Sequence, residues 1–276
     1  MTRVALLQIT SGIDPAANAR ALVSGLEAAA AGGAAIVFTP EMTGLLDRDR
    51  RRAAASIVGE DADVVLAAAR AQAARLGLWV HLGSLALRPG GDETRYVNRG
   101  FLIDDSGAIR ARYDKLHLFD VDLATGESWR ESAAYAPGGG ATVADMPAGA
   151  IGLSICYDLR FPDLYRALSD AGAEILSVPA AFTVPTGEAH WLVLLRARAI
   201  EAGCFVVAAA QTGTHEDGRI TYGHSLVIDP WGEVLLDMGT ATGVGFAEID
   251  LARLREVRSR IPALRHRRPI PAVTRA

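Results

Sequence analysis

Lysine is almost absent from this chain. Of its 28 lysine and arginine residues only Lys115, in the stretch IRARYDKLHLFDVD, is a lysine. Arginine therefore serves wherever a generic positive charge is needed, and position 115 stands apart. Arginine is a planar, permanently charged fork, whereas lysine is a compact charge on a flexible stem whose pKa moves on burial. Two readings are open: a leftover surface lysine, or a tight place that takes one ammonium. Cysteine is nearly as scarce, with Cys156 and Cys204 alone. Two cysteines argue against a disulfide framework, and without a C-x-x-C pair no structural zinc is expected. The compartment this implies is a reducing cytoplasm.

Other absences narrow the function. No uncharged apolar run approaches the roughly 18 residues of a membrane span. The opening MTRVALLQIT lacks the apolar core and small-residue cleavage site of a secretory leader, so no export is expected. The net charge of −4 leaves no overall basic character, which argues against a nucleic-acid partner. The one basic cluster, RHRRPIPAVTRA at the C-terminus, reads as a solvated tail. Neither G-x-G-x-x-G after the first strand nor G-x-x-x-x-G-K-[ST] occurs, which removes the usual nucleotide cradles. PGGGATV precedes a strand, not a helix, and reads as a turn.

What is present is an alternating pattern. The chain has 276 residues, half of them hydrophobic and 22% charged, enough for one domain that buries about three quarters of its unfolded surface. RVALLQI, a helix from about Pro15 to Ala31, AAIVFTPE, a helix from about Asp61 to Leu76 and LWVHLGSLAL form one run. After a hairpin around DSG, the rhythm returns with IGLSICYD, a helix through FPDLYRALSDAG, AEILSVPAA, a helix through EAHWLVLLRARAIEAG, and CFVVAAAQ. A hairpin across PWG, the strand GVGFAEID and a short helix follow. Such alternation predicts an α/β layered protein with helices covering the sheets. No low-complexity linker divides it, so a single domain over 1–262 with a tail at 263–276 is expected.

In open α/β sheets functional groups collect beyond the carboxyl ends of strands. Glu41 follows Pro40 there, Lys115 leaves a strand, and Cys156 ends IGLSIC before a turn into a helix. A cysteine at such an elbow can gain thiolate character from the helix N-terminus. Equally, free cysteines are among the most buried residue types, which is the reading for Cys204 inside GCFVVAAA. Together a thiol, a carboxylate and an amine match acyl transfer: the thiol attacks a carbonyl, the carboxylate shuttles protons and the amine stabilises the oxyanion. His117, His190 and His224 stay open as thiol partners.

TPEMTGLL, YDKLHLFDVD and GLSICYDLRFPDLYRAL resemble the three motif segments of the nitrilase superfamily of carbon–nitrogen hydrolases. The likeness runs on from PAAFTVPTGEAHW through TYGHSLVIDPWGEVL and covers nearly the whole chain to about Pro262. It implies a four-layer α-β-β-α sandwich, paired through its helical face in a homodimer or larger homo-oligomer. It also implies that Glu41, Lys115 and Cys156 are catalytic, that Glu131 supports them, and that neither metal nor cofactor is needed. Tyr157 would lend its backbone N–H to the oxyanion. Arg160 would clamp a substrate carboxylate, or else pair with Asp158 or Asp163, while Phe182 and Thr186 would line the pocket.

Within the superfamily the chain is most like the Nit branch, whose members include deaminated glutathione amidases and omega-amidases. KLHLFDVD, AAFTVPTGEAHW and TYGHSLVIDPWGEVL are more like the former. The substrate implied is a small 2-oxo acid amide. The alternatives are an omega-amidase acting on 2-oxoglutaramate, an N-carbamoyl amide hydrolase, a nitrilase, or a catalytically silent interaction module on the same fold.

Overall fold

Two six-stranded sheets lie face to face with helices on both outer faces in a computed structural model of the chain, which describes residues 1–122, 126 and 128–275. In chain order the strands are β1 (Thr2–Gln8), β2 (Ile36–Phe38), β3 (Trp79–Leu87), β4 (Val97–Ile103), β5 (Ile109–Asp114), β6 (Asp120–Asp122), β7 (Ser128–Arg130), β8 (Thr142–Met146), β9 (Gly149–Leu153), β10 (Ile175–Ser177), β11 (Phe205–Ala208), β12 (Thr212–Thr214), β13 (Ile220–Tyr222), β14 (Leu226–Ile228), β15 (Val234–Asp237) and β16 (Gly243–Ile249). The helices are α1 (Pro15–Ala31), α2 (Arg50–Ser56), α3 (Val64–Leu76), α4 (Pro162–Asp170), α5 (Val184–Thr186), α6 (Leu192–Ala202), α7 (Leu251–Arg260) and α8 (Ala263–His266).

One sheet has the order β16-β1-β2-β3-β4-β5 and the other β15-β14-β11-β10-β9-β8. Each is built on a parallel trio, β1-β2-β3 or β9-β10-β11, with antiparallel strands at its flanks. The repeated rhythm of the sequence is therefore a repeated topology.

Period-two alternation separates the layers. Val4 and Leu6 of β1 pack into the central cluster with Ile151, Leu153 and Ile175 of the opposite sheet. Ala5 and Leu7 of the same strand face outward onto Leu22 and Leu26 of α1 and Val65 and Leu66 of α3. The central cluster continues outward to Leu168 of α4 and Leu195 of α6. Each such side chain, fully buried, stabilises the fold by about 1.5–3 kcal/mol. Short polar residues start the helices: Asp14 accepts from Ala16 N–H (2.9 Å) and Asp63 from Val65 and Leu66 N–H (2.9 and 2.8 Å). Each cap contributes about 1 kcal/mol.

The boundaries differ from the expectation where periodicity is weak. The helix expected from about Asp61 is α3 and begins at Val64, after a 3-10 turn over Glu60–Ala62. The strand through IRARYD stops at Asp114, before Lys115. Helix α2 and the hairpins β6–β7 and β12–β13 have too little apolar repeat to be read from sequence. The C-terminal stretch is exposed from 268 to 275, but Arg267 ties its start to α4 through Asp170 and Ser169 Oγ; Ala276 lies outside the described residues. Among those residues no helix is long and apolar enough to cross a membrane.

Candidate active site

Glu41 is placed by a turn that the sequence builds tightly. Thr39 Oγ1 accepts from Gly83 N–H (2.9 Å), and Thr43 Oγ1 donates to Pro40 O (2.7 Å). A Cβ at position 83 would lie 2.1 Å from Thr39 O and 2.4 Å from Pro40 O, so only glycine lets β3 approach this closely. Met42, next after Glu41, has φ of 55°, a left-handed conformation that costs a non-glycine residue about 1–2 kcal/mol. Its N–H donates to Ser84 Oγ (2.9 Å).

Lys115 is held at both ends of its backbone, donating to Asn98 O and accepting from Gly138 N–H, each 2.9 Å. Cys156 lies three residues beyond β9, with φ of 50° and its N–H bonded to Pro179 O (2.9 Å). Buried Asp158 organises this elbow, accepting from Ile155 N–H (2.8 Å), His117 N–H (3.0 Å) and Tyr113 OH (2.7 Å). Two left-handed, non-glycine residues thus flank the same place. Backbone strain of this kind collects where the surrounding structure over-determines a functional geometry.

The three side chains meet at the floor of a cavity of about 460 Å³. Lys115 Nζ donates to Glu41 Oε1 (2.8 Å) and to Glu131 Oε2 (2.9 Å) and Oε1 (3.2 Å). Lys115 is 2% exposed, Glu41 5% and Cys156 8%. Burial works to lower the Lys115 pKa, but Glu131 and Glu41 more than reverse this, so the ammonium stays charged far above its ordinary range. Burial works to raise Glu41, and Lys115 together with Asn98 pulls it back below 4.5. Burial, then the Glu41 charge, pushes the Cys156 thiol well above its ordinary value, with Lys115 opposing. At this elbow burial and the Glu41 charge thus oppose the thiolate character that a helix N-terminus can lend, and the site sets a cysteine beside a carboxylate able to take its proton.

Glu131 also accepts from Phe119 N–H (2.6 Å). Tyr157 N–H has no acceptor among the described residues, and Tyr157, Arg160, Phe182 and Thr186 all line the cavity. Arg160 pairs with neither Asp158 nor Asp163. Its guanidinium lies over the rings of Phe182 (5.7 Å) and Tyr157 (5.8 Å) and against His190 Nδ1 (3.3 Å). None of the three histidines left open faces Cys156: His117 bonds Asp158 (2.7 Å) and stacks on Phe161, His190 meets Arg160, and His224 bonds Asp237 (2.9 Å).

Sequence reasoning missed Asn98, whose Nδ2 donates to Glu41 Oε1 (2.9 Å), and the Ala181 N–H that donates to Glu41 Oε2 (3.1 Å). A polar residue inside the apolar strand VNRGFLI was a usable signal for Asn98; nothing marked the amide of Ala181. Among the described residues no group of three or more His, Cys, Asp or Glu side chains is arranged to hold a metal ion.

Comparison with known proteins agrees with this architecture. The carbon-nitrogen hydrolase family profile matches residues 3–259. The deaminated glutathione amidase of Homo sapiens is 43% identical over 270 residues, 96% of this chain and 82% of the relative. The crystal structure of the C. elegans NitFhit protein superposes with a TM-score of 0.89 at 39% identity over 97% of this chain, which spans 65% of that longer protein. A mutant amidase from Nesterenkonia sp. AN1, solved after Michael addition of acrylamide at its active-site cysteine, has a TM-score of 0.79 at 27% identity, covering 95% of this chain and 98% of its own. The chain belongs to the carbon–nitrogen hydrolase family of the nitrilase superfamily. It is a hydrolase of carbon–nitrogen bonds other than peptide bonds, an amidase.

Proposed function

We propose that this amidase cleaves deaminated glutathione or a closely related 2-oxo acid amide, with Cys156 as nucleophile. The observation that carries the assignment of roles is Lys115 Nζ held between Glu41 (2.8 Å) and Glu131 (2.9 Å) beside the Cys156 elbow. Glu41 takes the thiol proton as Sγ attacks the amide carbon, and the carbonyl electrons move onto oxygen. Lys115 and the free Tyr157 N–H stabilise that oxyanion. Glu41 then protonates the departing amine, the C–N bond breaks, and a thioester remains on Cys156. A water deprotonated by Glu41 attacks the thioester, and the returning proton restores the thiol as the acid leaves. Glu131 is a positioning residue that orients the ammonium. Asn98 and the Ala181 N–H hold the Glu41 carboxylate in register for both proton transfers.

Arg160, backed by two rings and without a carboxylate partner among the described residues, is suited to the carboxylate of a 2-oxo acid, with Phe182 and Thr186 lining the same cavity. The human relative's name and the arginine-rich cavity favour this substrate over an unsubstituted amide. The test is a panel of deaminated glutathione, 2-oxoglutaramate, N-carbamoyl acids and nitriles, with each product followed separately because release of cysteinylglycine yields no ammonia. Preferential turnover of 2-oxoglutaramate would reassign the enzyme as an omega-amidase.

We further propose one catalytic domain over 1–262 with a tail beyond it, and a cytoplasmic location supported by the two free cysteines. Exposed Leu192, Val193 and Ile200 on α6, with Trp231, support self-association through the helical face. Light scattering that finds a monomer at micromolar concentration would overturn the last point.

A further inference from the structure

We propose that Arg219, Arg48 and Trp129 form a second anion subsite, which takes a carboxylate carried by the departing amine. The enzyme would then read a substrate charged at both ends. This rests on the reading of the site as an amidase for 2-oxo acid amides and adds the chemistry of the leaving group to it.

The cavity is lined by Lys115 and five arginines (48, 50, 130, 160 and 219) against the carboxylates of Glu41, Asp47 and Glu131. An excess of positive charge around an enclosed volume concentrates anions there. The arginines are not equivalent. Arg130 is engaged by Asp122, its Nη2 donating to both carboxylate oxygens (2.9 Å each), and Arg50 donates to Arg130 O. Arg160 is assigned to the acyl side. Arg48 and Arg219 remain.

These two sit together. Asp217 Oδ2 accepts from both the Arg48 backbone N–H (2.9 Å) and Arg219 Nη2 (3.2 Å). Among the described residues Arg48 has no carboxylate partner for its guanidinium, so that within them the pair of arginines shares the one carboxylate of Asp217. The nearby Asp47 is engaged by Arg52 (2.7 Å). Arg219 lies over the Trp129 ring at 4.7 Å, and Arg219 Nε and Trp129 Nε1 are both buried donors without an acceptor among the described residues. A buried N–H left unmatched is costly, so two in one stacked unit beside the cavity favour a ligand acceptor toward which the two side chains turn on binding.

The unit also lies at the right end of the cavity. Trp129 contacts Phe119 (6.3 Å between centroids), Phe119 contacts Tyr157 (5.1 Å), and Tyr157 carries Arg160 (5.8 Å). One wall of three aromatic rings thus has a guanidinium at each end, with Tyr157 adjacent in sequence to Cys156. A linear amide whose acyl carboxylate reaches Arg160 would direct its amine portion along this wall toward Arg219. Ammonia, the leaving group of a primary amide, would leave these donors unused; a small carboxylate-bearing amine such as a dipeptide would engage them.

The test compares deaminated glutathione with its C-terminal carboxamide, which differs in that one charge, in the wild type and in Arg219→Gln and Arg48→Gln. The wild type should prefer the carboxylate by about tenfold to a hundredfold in kcat/KM. The preference should fall to within about threefold of unity in Arg219→Gln and by a smaller factor in Arg48→Gln, with unfolding midpoints checked for both. Absence of the preference in the wild type, or its survival in both variants, overturns the subsite. Should the wild type cleave neither peptide, the assigned substrate has failed. The subsite is then decided by cysteinylglycine and cysteinylglycinamide as inhibitors of whichever amide is turned over. Stronger inhibition by the carboxylate, abolished in Arg219→Gln, supports it; equal inhibition overturns it.

Discussion

Cys156 and Cys204 are the same residue in comparable burial, yet their surroundings differ. Cys204 is fully buried ahead of β11, its Sγ donating to Ala173 O (3.2 Å) and meeting Arg258 Nη2 (3.2 Å). Burial raises its pKa to about 11, with Arg258 opposing. Cys156 is also buried and raised, but it sits in a left-handed elbow at a cavity floor, with a carboxylate and an ammonium beside it. Burial therefore does not separate an inert thiol from a usable one. The difference is a neighbouring base that can accept the proton and room for an electrophile to arrive.

The sharpest way to break this comparison is to truncate each thiol. Cys156→Ala should lose at least about 10³-fold in kcat, as expected when a covalent nucleophile is removed. Cys204→Ala should keep kcat/KM within about threefold, because it touches nothing that reacts. Equal losses would show that Cys156 acts only as packing.

Lys115→Arg comes next. The guanidinium keeps the charge but cannot occupy a space built for one ammonium between two carboxylates, and losing an oxyanion donor costs about 10²–10³ in turnover. Near-normal steady-state kinetics in that variant would sink the oxyanion role. Glu131→Gln retains a hydrogen-bond acceptor while removing one of the charges on Lys115. About a tenfold fall in kcat with little change in KM is expected, equivalent to about 1.4 kcal/mol; a loss confined to KM would place Glu131 on the substrate instead.

Acid titration refines the comparison further. In the proposed mechanism Glu41 must be ionised to take the Cys156 proton, and, against burial, Lys115 holds its folded pKa below the ordinary glutamate value. The acidic limb of kcat/KM should therefore lie below the ordinary glutamate range, and a limb above that range would mean that burial outweighs Lys115. The sign for stability is the same. A depressed carboxylate pKa contributes stability that is fully present above the unfolded value and is lost as pH falls through the folded one. The smallest effect belongs to the inert thiol: Cys204→Ala should lower stability by about 1 kcal/mol, measured by urea denaturation.

Much of the fold could be read from local pattern. Val4 and Leu6 alternate with Ala5 and Leu7, Asp14 and Pro15 start a helix, and the prolines after FT and SV end parallel strands, because period, capping and turn chemistry act over a few residues. Glu41, Lys115 and Cys156 could be named as candidates for the same reason: each stands at a strand end in a motif of its own. Asn98 and the Ala181 amide could not be assigned to Glu41, since they lie 57 and 140 residues from it in sequence. Nor could the sequence give the balance of effects on the Cys156 thiol, because that depends on how deeply the sulfur is buried and how near two opposite charges come.

The amino-acid order alone thus determined which segments are strands and helices, which faces are apolar and which reactive side chains are available. The stacking of the two sheets decided what those side chains meet: Lys115 between two carboxylates, Arg219 against Trp129, Arg160 on Tyr157 and Phe182. Local preferences are set by a residue's immediate chain neighbours, whereas proton affinity and substrate fit are set by distances across the interior, which exist only once the layers have packed.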